Sequence, residues 1–236
     1  MNLLDRDRQI VLSVARFGQL AAGQIHALHF DGLTQTPTDR ALKRLVELRM
    51  LARIERRMVG GTGAGSGQYV YQLGSMGWVL AGKAGRYYPQ RAVNHHTLAI
   101  VDAYLELLQV ERTGLIEIRG FFTEPDSWRT IEGIELRPDL FIEVLDVYRG
   151  RTLHLWLEID MGTERPKKIT DKLAAYWYAY QHSSEAAMPQ SSAVFFLAPD
   201  DDRAKTLSWI IEQGDEDAQK LFAAFTISSF ASLLFR

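Results

Sequence analysis

The stretch "LHLWLEIDMGTERPKK", residues 153–168, decides how this chain is read. It starts as a hydrophobic strand and ends on the first residues of a helix, with Glu158 and Asp160 between them. Two positions apart in an extended chain, their side chains leave the same face. A third acid, Asp139 in "ELRPDLFIEV", opens the preceding hydrophobic run. Three carboxylates on neighbouring strands make an oxygen donor set suited to a hard divalent cation, Mg²⁺ or Mn²⁺. Asp139, Glu158 and Asp160 are the expected metal ligands, with the Ile159 carbonyl as a further oxygen.

Outward from this stretch the order of elements is readable. "HHTLAIVDAYLELLQVE" is a helix by its apolar spacing, and "GLIEIRGFFTEP", "LRPDLFIEVLDV" and "RTLHLWLEIDM" are strands. "PKKITDKLAAYWYAYQ" is the next helix and "SAVFFLAP" a fourth strand. Beyond them, "DDDRAKTLSWIIEQ" and "DEDAQKLFAAF" read as helices started by acid runs, and "TISSFASLLF" as a closing strand. The order αβββαβ resembles the core of the PD-(D/E)XK nuclease superfamily. That resemblance implies an α/β (α+β) domain with a mixed sheet, acids at the end of a hairpin, and a lysine two residues after the glutamate.

Here that lysine position holds Asp160. Two readings stay open. Either the cation comes from the following helix, where Lys168 and Lys172 lie four apart and share a face, or Asp160 adds a third carboxylate and the site leans on metal. Lys168 is the residue expected to act with Asp139, Glu158 and Asp160 in catalysis. Phosphodiester cleavage needs a hard cation to neutralise developing charge and activate water, which is why carboxylates matter in this pattern. Asp102 and Glu106, four apart on the first helix, are a possible further acid. In "YWYAY", Tyr176 and Tyr180 share one helix face while Tyr178 points elsewhere, and the aromatics read as packing residues, not nucleophiles.

The front of the chain has another character. Residues 1–95 carry 13 Lys/Arg against 6 Asp/Glu, whereas residues 96–236 carry 14 against 23, although the whole chain is only −2. A basic half suits a polyanion. Ile10, Val11, Val14, Phe17 and Leu20 mark a helix, "GQLAAGQIHALHF" holds a second, and "TQTPTDRALKRLVELRML" a third. In the third, Thr36 is the expected cap, Pro37 suits the first turn, and Asp39 can close a capping box. Thr38, Arg40, Lys43 and Arg44 are expected to face outward. "ARIERRMVGGTGAGSGQYVYQLG" then reads as a β-hairpin wing, with Arg53, Arg56 and Arg57 near phosphates. Three helices and a basic hairpin predict a winged helix-turn-helix over 1–90, joined near 88–92 to the αβββαβ domain of 91–236. The glycine run lacks the GK[ST] ending of a phosphate loop. His26 and His29 are read as packing or capping residues.

With no cysteine, disulfides and thiolate metal sites are excluded. No apolar run reaches the length of a membrane span and no signal peptide is visible, so a cytoplasmic protein without a membrane role is expected.

The layout as a whole resembles the replication-relaxation family of plasmids and other mobile elements. "GGTGAGSGQYVYQLGSMGWVLA", "RPDLFIEV" and "LWLEIDMGTERPKKITDKLAAYW" carry the likeness. The resemblance implies that aspartate at position 160 is the rule, and that the chain takes part in replication or relaxation of DNA. Expected partners are double-stranded DNA, a second copy in a homodimer, and replication or mobilisation proteins. One expectation is a metal-dependent endonuclease that nicks at a specific site. The alternative is a non-catalytic replication or transcription regulator whose nuclease-like domain serves dimerisation or partner contact. The missing lysine and the acidic back half favour the second.

Overall fold

The computed structural model describes residues 3–57, 68–184 and 186–235, with only the backbone at 55–57. Ile10, Val11 and Val14 bury one face of α1 (Asp5–Phe17), which stops at Gly18, whose φ of 88° few other residues adopt. A three-residue strand, β1 (Gln19–Ala21), leads into α2 (Ala22–His29) and α3 (Gln35–Glu47). Strands β2 (Leu51–Arg57) and β3 (Gln68–Leu73) form the hairpin, and β1 adds to β3, giving an antiparallel sheet in the order β1-β3-β2. Three helices and this sheet are compatible with the expected winged helix-turn-helix. The wing's glycine-rich tip and the side chains of Arg56 and Arg57 lie outside the described residues.

A short helix, α4 (Ser75–Leu80), follows the wing. It begins against the turn that ends α3, where Arg49 takes a positive φ. A Cβ on Gly77 would lie 2.0 Å from the Met50 carbonyl oxygen, so only glycine lets the backbones approach this closely. Gln19 and Gln72 then tie the segment after α4 back: Gln19 Nε2 donates to the Ala92 carbonyl, and Gln72 accepts from the Gln90 N–H.

Contacts divide the chain into two units, Met1–Val101 and Asp102–Arg236, the division falling within α5 (His95–Arg112). In the second unit, β4 (Ile116–Thr123) pairs antiparallel with β7 (Leu140–Asp146), and β7 with β8 (Arg151–Ile159). A small hairpin, β5 (Arg129–Ile131) and β6 (Ile134–Leu136), is inserted between β4 and β7. Helix α6 (Pro166–His182) crosses to β9 (Ser192–Ala198), which lies parallel to β8. After α7 (Asp201–Glu212) comes β10 (Phe222–Thr226), parallel to β9, then the short α8 (Phe230–Leu234). The sheet is mixed, in the order β10-β9-β8-β7-β4. The fold is α+β, with the αβββαβ order present and the β5–β6 hairpin added to it.

Two corrections belong to the tail. The expected helix over 215–225 is a 3₁₀ turn (Ala218–Lys220) followed by strand β10, and the expected closing strand over 226–235 contains α8. Short apolar runs are ambiguous by periodicity. "FAAFT" becomes a strand because β9 offers it a free edge, Phe222 pairing with Val194 and Thr226 with Ala198.

The core beneath α6 and α7 joins Phe141 and Trp156 of the sheet to Ile169, Tyr176, Leu207 and Ile211 of the helices. Trp156 meets Tyr176 edge-on, with ring centroids 6.0 Å apart. Glu158 and Asp160 follow Trp156 at alternate positions, so the strand sends both acids toward these helices.

Candidate functional site

The β7–β8 register pairs Leu140 with Leu157, so Asp139 and Glu158 are the next opposed positions at the hairpin's open end. Asp139 Oδ2 accepts the Ile159 N–H at 2.7 Å, which fixes the carboxylate beside the strand end. Glu158 is 3% exposed. Lys172 Nζ donates to its Oε2 and the Tyr176 hydroxyl to its Oε1, each at 2.7 Å. Lys172 also donates to Glu164 at 3.0 Å.

Burial pushes the Glu158 carboxyl up to about 7 against the opposing pull of Lys172, and the negative charge of Asp139 adds to the rise. Lys172 is held above its ordinary range, because Glu158 and Glu164 outweigh the burial that would lower it. It is therefore a standing positive charge and no general base at neutral pH. Burial, then the charge of Glu158, raises the Tyr176 hydroxyl well above its ordinary value. Tyr176 is thus a buried donor that orients Glu158. Tyr178 lies on the helix's exposed side, stacked on His182.

Lys168 is exposed and pairs with Glu164. Of the two lysines on the α6 face, Lys172 is the one that reaches Glu158. Asp160, 2% exposed, is bound elsewhere. Arg203 Nη2 donates to its Oδ2 at 2.6 Å, Arg203 Nε to its Oδ1 at 3.3 Å, and the Gly162 N–H to Oδ1 at 2.5 Å. Sequence reasoning missed Arg203; its only signal was a lone arginine in the first turn after the fourth strand.

Asp139 and Glu158 are adjacent hard oxygen donors at a buried strand end, the donor type that suits a divalent cation, and burial already raises the Glu158 carboxyl. Asp160 is bound through both oxygens by the Arg203 guanidinium and by the Gly162 N–H, as Glu158 is by Lys172 and Tyr176. Among the described residues, no group of three or more acids or histidines is arranged to hold a metal ion. Glu106 is half-buried, and burial together with Asp102 raises its carboxyl.

In the first unit, α3 exposes Gln35, Thr36, Asp39, Arg40 and Lys43. Thr38 is a correction: expected to face outward, it is 0% exposed, and its hydroxyl hydrogen-bonds His26 Nδ1 at 2.8 Å, so it ties α3 to α2. The N-cap is Thr34, not Thr36, and Gln35 donates to Asp39 in place of a capping box. Arg44 forms a two-bond pair with the buried Asp7, Nη2 to Oδ1 at 2.7 Å and Nε to Oδ2 at 2.8 Å, joining α3 to α1. Arg53 is exposed on β2 and lies over the Tyr69 ring. His29 bonds Ser13, and burial lowers it to about 4.

The replication-relaxation family model matches residues 12–191, about three quarters of the chain and both the wing and the acidic site. The chain belongs to the replication-relaxation family. Asp139, Glu158, Asp160, Lys172 and Tyr176 lie within the matched span, whereas Arg203 lies beyond it. No curated protein and no solved structure matches the chain. Among the described residues, no helix of this family member is long and apolar enough to cross a membrane. A role in replication or relaxation of plasmid or mobile-element DNA follows from the family.

Proposed function

We propose that this protein binds double-stranded DNA of a plasmid or mobile element through its winged helix and nicks it with a PD-(D/E)XK-type site, using Mg²⁺ or Mn²⁺. The observation that carries this reading is Lys172. From the helix after the hairpin, it supplies the cation beside Glu158 that Asp160 displaces from the usual place. Two carboxylates and a lysine then stand together despite the altered motif. Asp139 and Glu158 are the residues to hold the metal, which would supply Lewis acidity toward a phosphodiester oxygen. Lys172 keeps a positive charge beside the carboxylates, suited to a scissile phosphate. Tyr176 holds Glu158 in place from behind.

For the DNA-binding half, Arg40 and Lys43 on the exposed face of α3 are the proposed groove residues, and Arg53, with Arg56 and Arg57, the proposed phosphate contacts of the wing. Arg44 serves α3 mainly by fixing it to α1.

The test is conversion of a supercoiled plasmid carrying the element's origin to open circle with Mg²⁺ or Mn²⁺. The expected result is metal-dependent nicking that falls at least a hundredfold in Glu158→Ala and Lys172→Ala. Retained DNA binding with no conversion in either metal overturns the cleavage reading. It would leave the second reading, a non-catalytic replication or transcription regulator. That reading draws support from the saturation of Glu158 and Asp160 by protein donors, which is how a structural relic of a metal site would be stabilised.

A further inference from the structure

Asp160 is the position at which this chain departs from the nuclease pattern, and its environment is built. Its backbone N–H is pinned to β9 through the Leu197 carbonyl at 2.9 Å. Gly162, at a φ of 81°, turns the chain so that its own N–H returns to the Asp160 carboxylate. Arg203 closes the arrangement from α7, 17% exposed at the side chain, where Asp200 caps the helix by accepting the Arg203 N–H at 2.8 Å. The same Arg203 Nη2 also donates to the Glu164 carbonyl at 2.8 Å. Glu164 in turn holds Lys172, and Lys172 holds Glu158. One guanidinium thus begins a continuous chain of contacts that runs through the 160–164 loop to the acidic site.

A buried ion pair adds little net stability over well-packed apolar residues, because desolvation offsets the attraction. What the pair does supply is direction, since a bidentate guanidinium fixes both partners. We propose that Arg203 is a positioning residue for the Asp139–Glu158 site and Asp160 its anchor: the pair latches the β8–α6 loop so that Glu164 presents Lys172 to Glu158. Asp160 is then no metal ligand. The inference rests on reading Asp139 and Glu158 as cation-holding residues.

The test uses the full chain and Mn²⁺ alone. Free Mn²⁺ is followed by its electron paramagnetic resonance signal, with hydrogen exchange measured on the same samples. Arg203→Gln and Asp160→Asn should each weaken Mn²⁺ binding about tenfold. The double variant should be no worse than either single, because both act through one contact. Arg203→Lys should recover part of the loss. Exchange over residues 160–165 should accelerate about tenfold in the same variants, while residues 222–226 of β10 stay protected. The double variant leaves no uncompensated buried charge, so it keeps the test open if Arg203→Gln alone does not fold.

Opposite signs, with Mn²⁺ tighter in Arg203→Gln and weaker in Asp160→Asn, would make Asp160 a ligand and overturn the proposal. Unchanged Mn²⁺ affinity in Arg203→Gln reduces the latch to a structural tie and overturns it as well. If the unmodified chain binds no Mn²⁺, the cation reading itself falls and takes the positioning role with it. Faster loop exchange in the variants would then mark a latch without a site.

Discussion

Glu158 shows how one buried carboxylate couples the site to stability. Folded, it holds its proton up to about 7, whereas an unfolded glutamate releases it near 4.5. Protonation therefore favours the folded chain: this contribution is complete below pH 4.5 and is lost as pH rises through about 7. With chelator present, urea denaturation should show the unmodified chain losing about 2–3 kcal/mol relative to Glu158→Gln between pH 5 and pH 8. No pH-dependent difference between the two would show that Lys172 compensates Glu158 completely. The two lysines on the α6 face should also separate. Lys172→Ala strips a buried carboxylate of its cation and should cost about 2–4 kcal/mol near neutral pH. Lys168→Ala removes an exposed pair and should stay within about 0.5 kcal/mol by the same measurement.

At the scale of the element, α3 divides its basic residues between two tasks. Arg40 and Lys43 face solvent, while Arg44 reaches across to Asp7 of α1. Asp7 is 1% exposed, so losing its partner leaves a buried charge uncompensated. Arg44→Ala should lower stability by about 1–3 kcal/mol, less than a fully buried pair would lose because Arg44 itself is partly exposed to water. Arg40→Ala should leave stability within about 0.5 kcal/mol, and thermal unfolding of the two variants side by side checks the division. Equal stability of both would mean that the Asp7 pair does not hold α1 to α3. The sequence alone could not make this distinction: helical spacing shows that positions 40, 43 and 44 avoid the deepest core, but not that a buried acid 37 residues earlier claims one of them. Thr38 was misjudged for a related reason. A small polar side chain tolerates a buried place when a neighbour such as His26 satisfies its hydroxyl.

For the whole molecule, the separation of charge along the chain bears on the proposed binding of DNA. The front carries the excess of cations and the back the excess of acids. If the front supplies the phosphate contacts, each lost contact lowers the dependence of affinity on salt by about 0.9 in a log–log plot. The triple variant Arg53→Ala, Arg56→Ala and Arg57→Ala should therefore reduce the slope by about 2–3 in gel-shift or anisotropy titrations across salt. An unchanged slope would move the contacts off the wing.

Much of the architecture was readable from the residues. Apolar spacing of three and four marked the long helices, continuous hydrophobic runs marked β7 and β8, and glycine with a basic hairpin marked the wing, because these patterns follow from local geometry. The acids Asp139, Glu158 and Asp160 were readable as a set because their strands are hairpin neighbours. What tertiary structure alone decided is which charge meets which. Arg203 comes from a helix 43 residues beyond Asp160, and Lys172, not Lys168, reaches Glu158 because of where α6 settles on the sheet. The fate of "FAAFT" was likewise settled by an open edge on β9. Sequence determined the elements, since each depends on nearby residues; the partners of the buried charges depend on packing between elements, which no local pattern encodes.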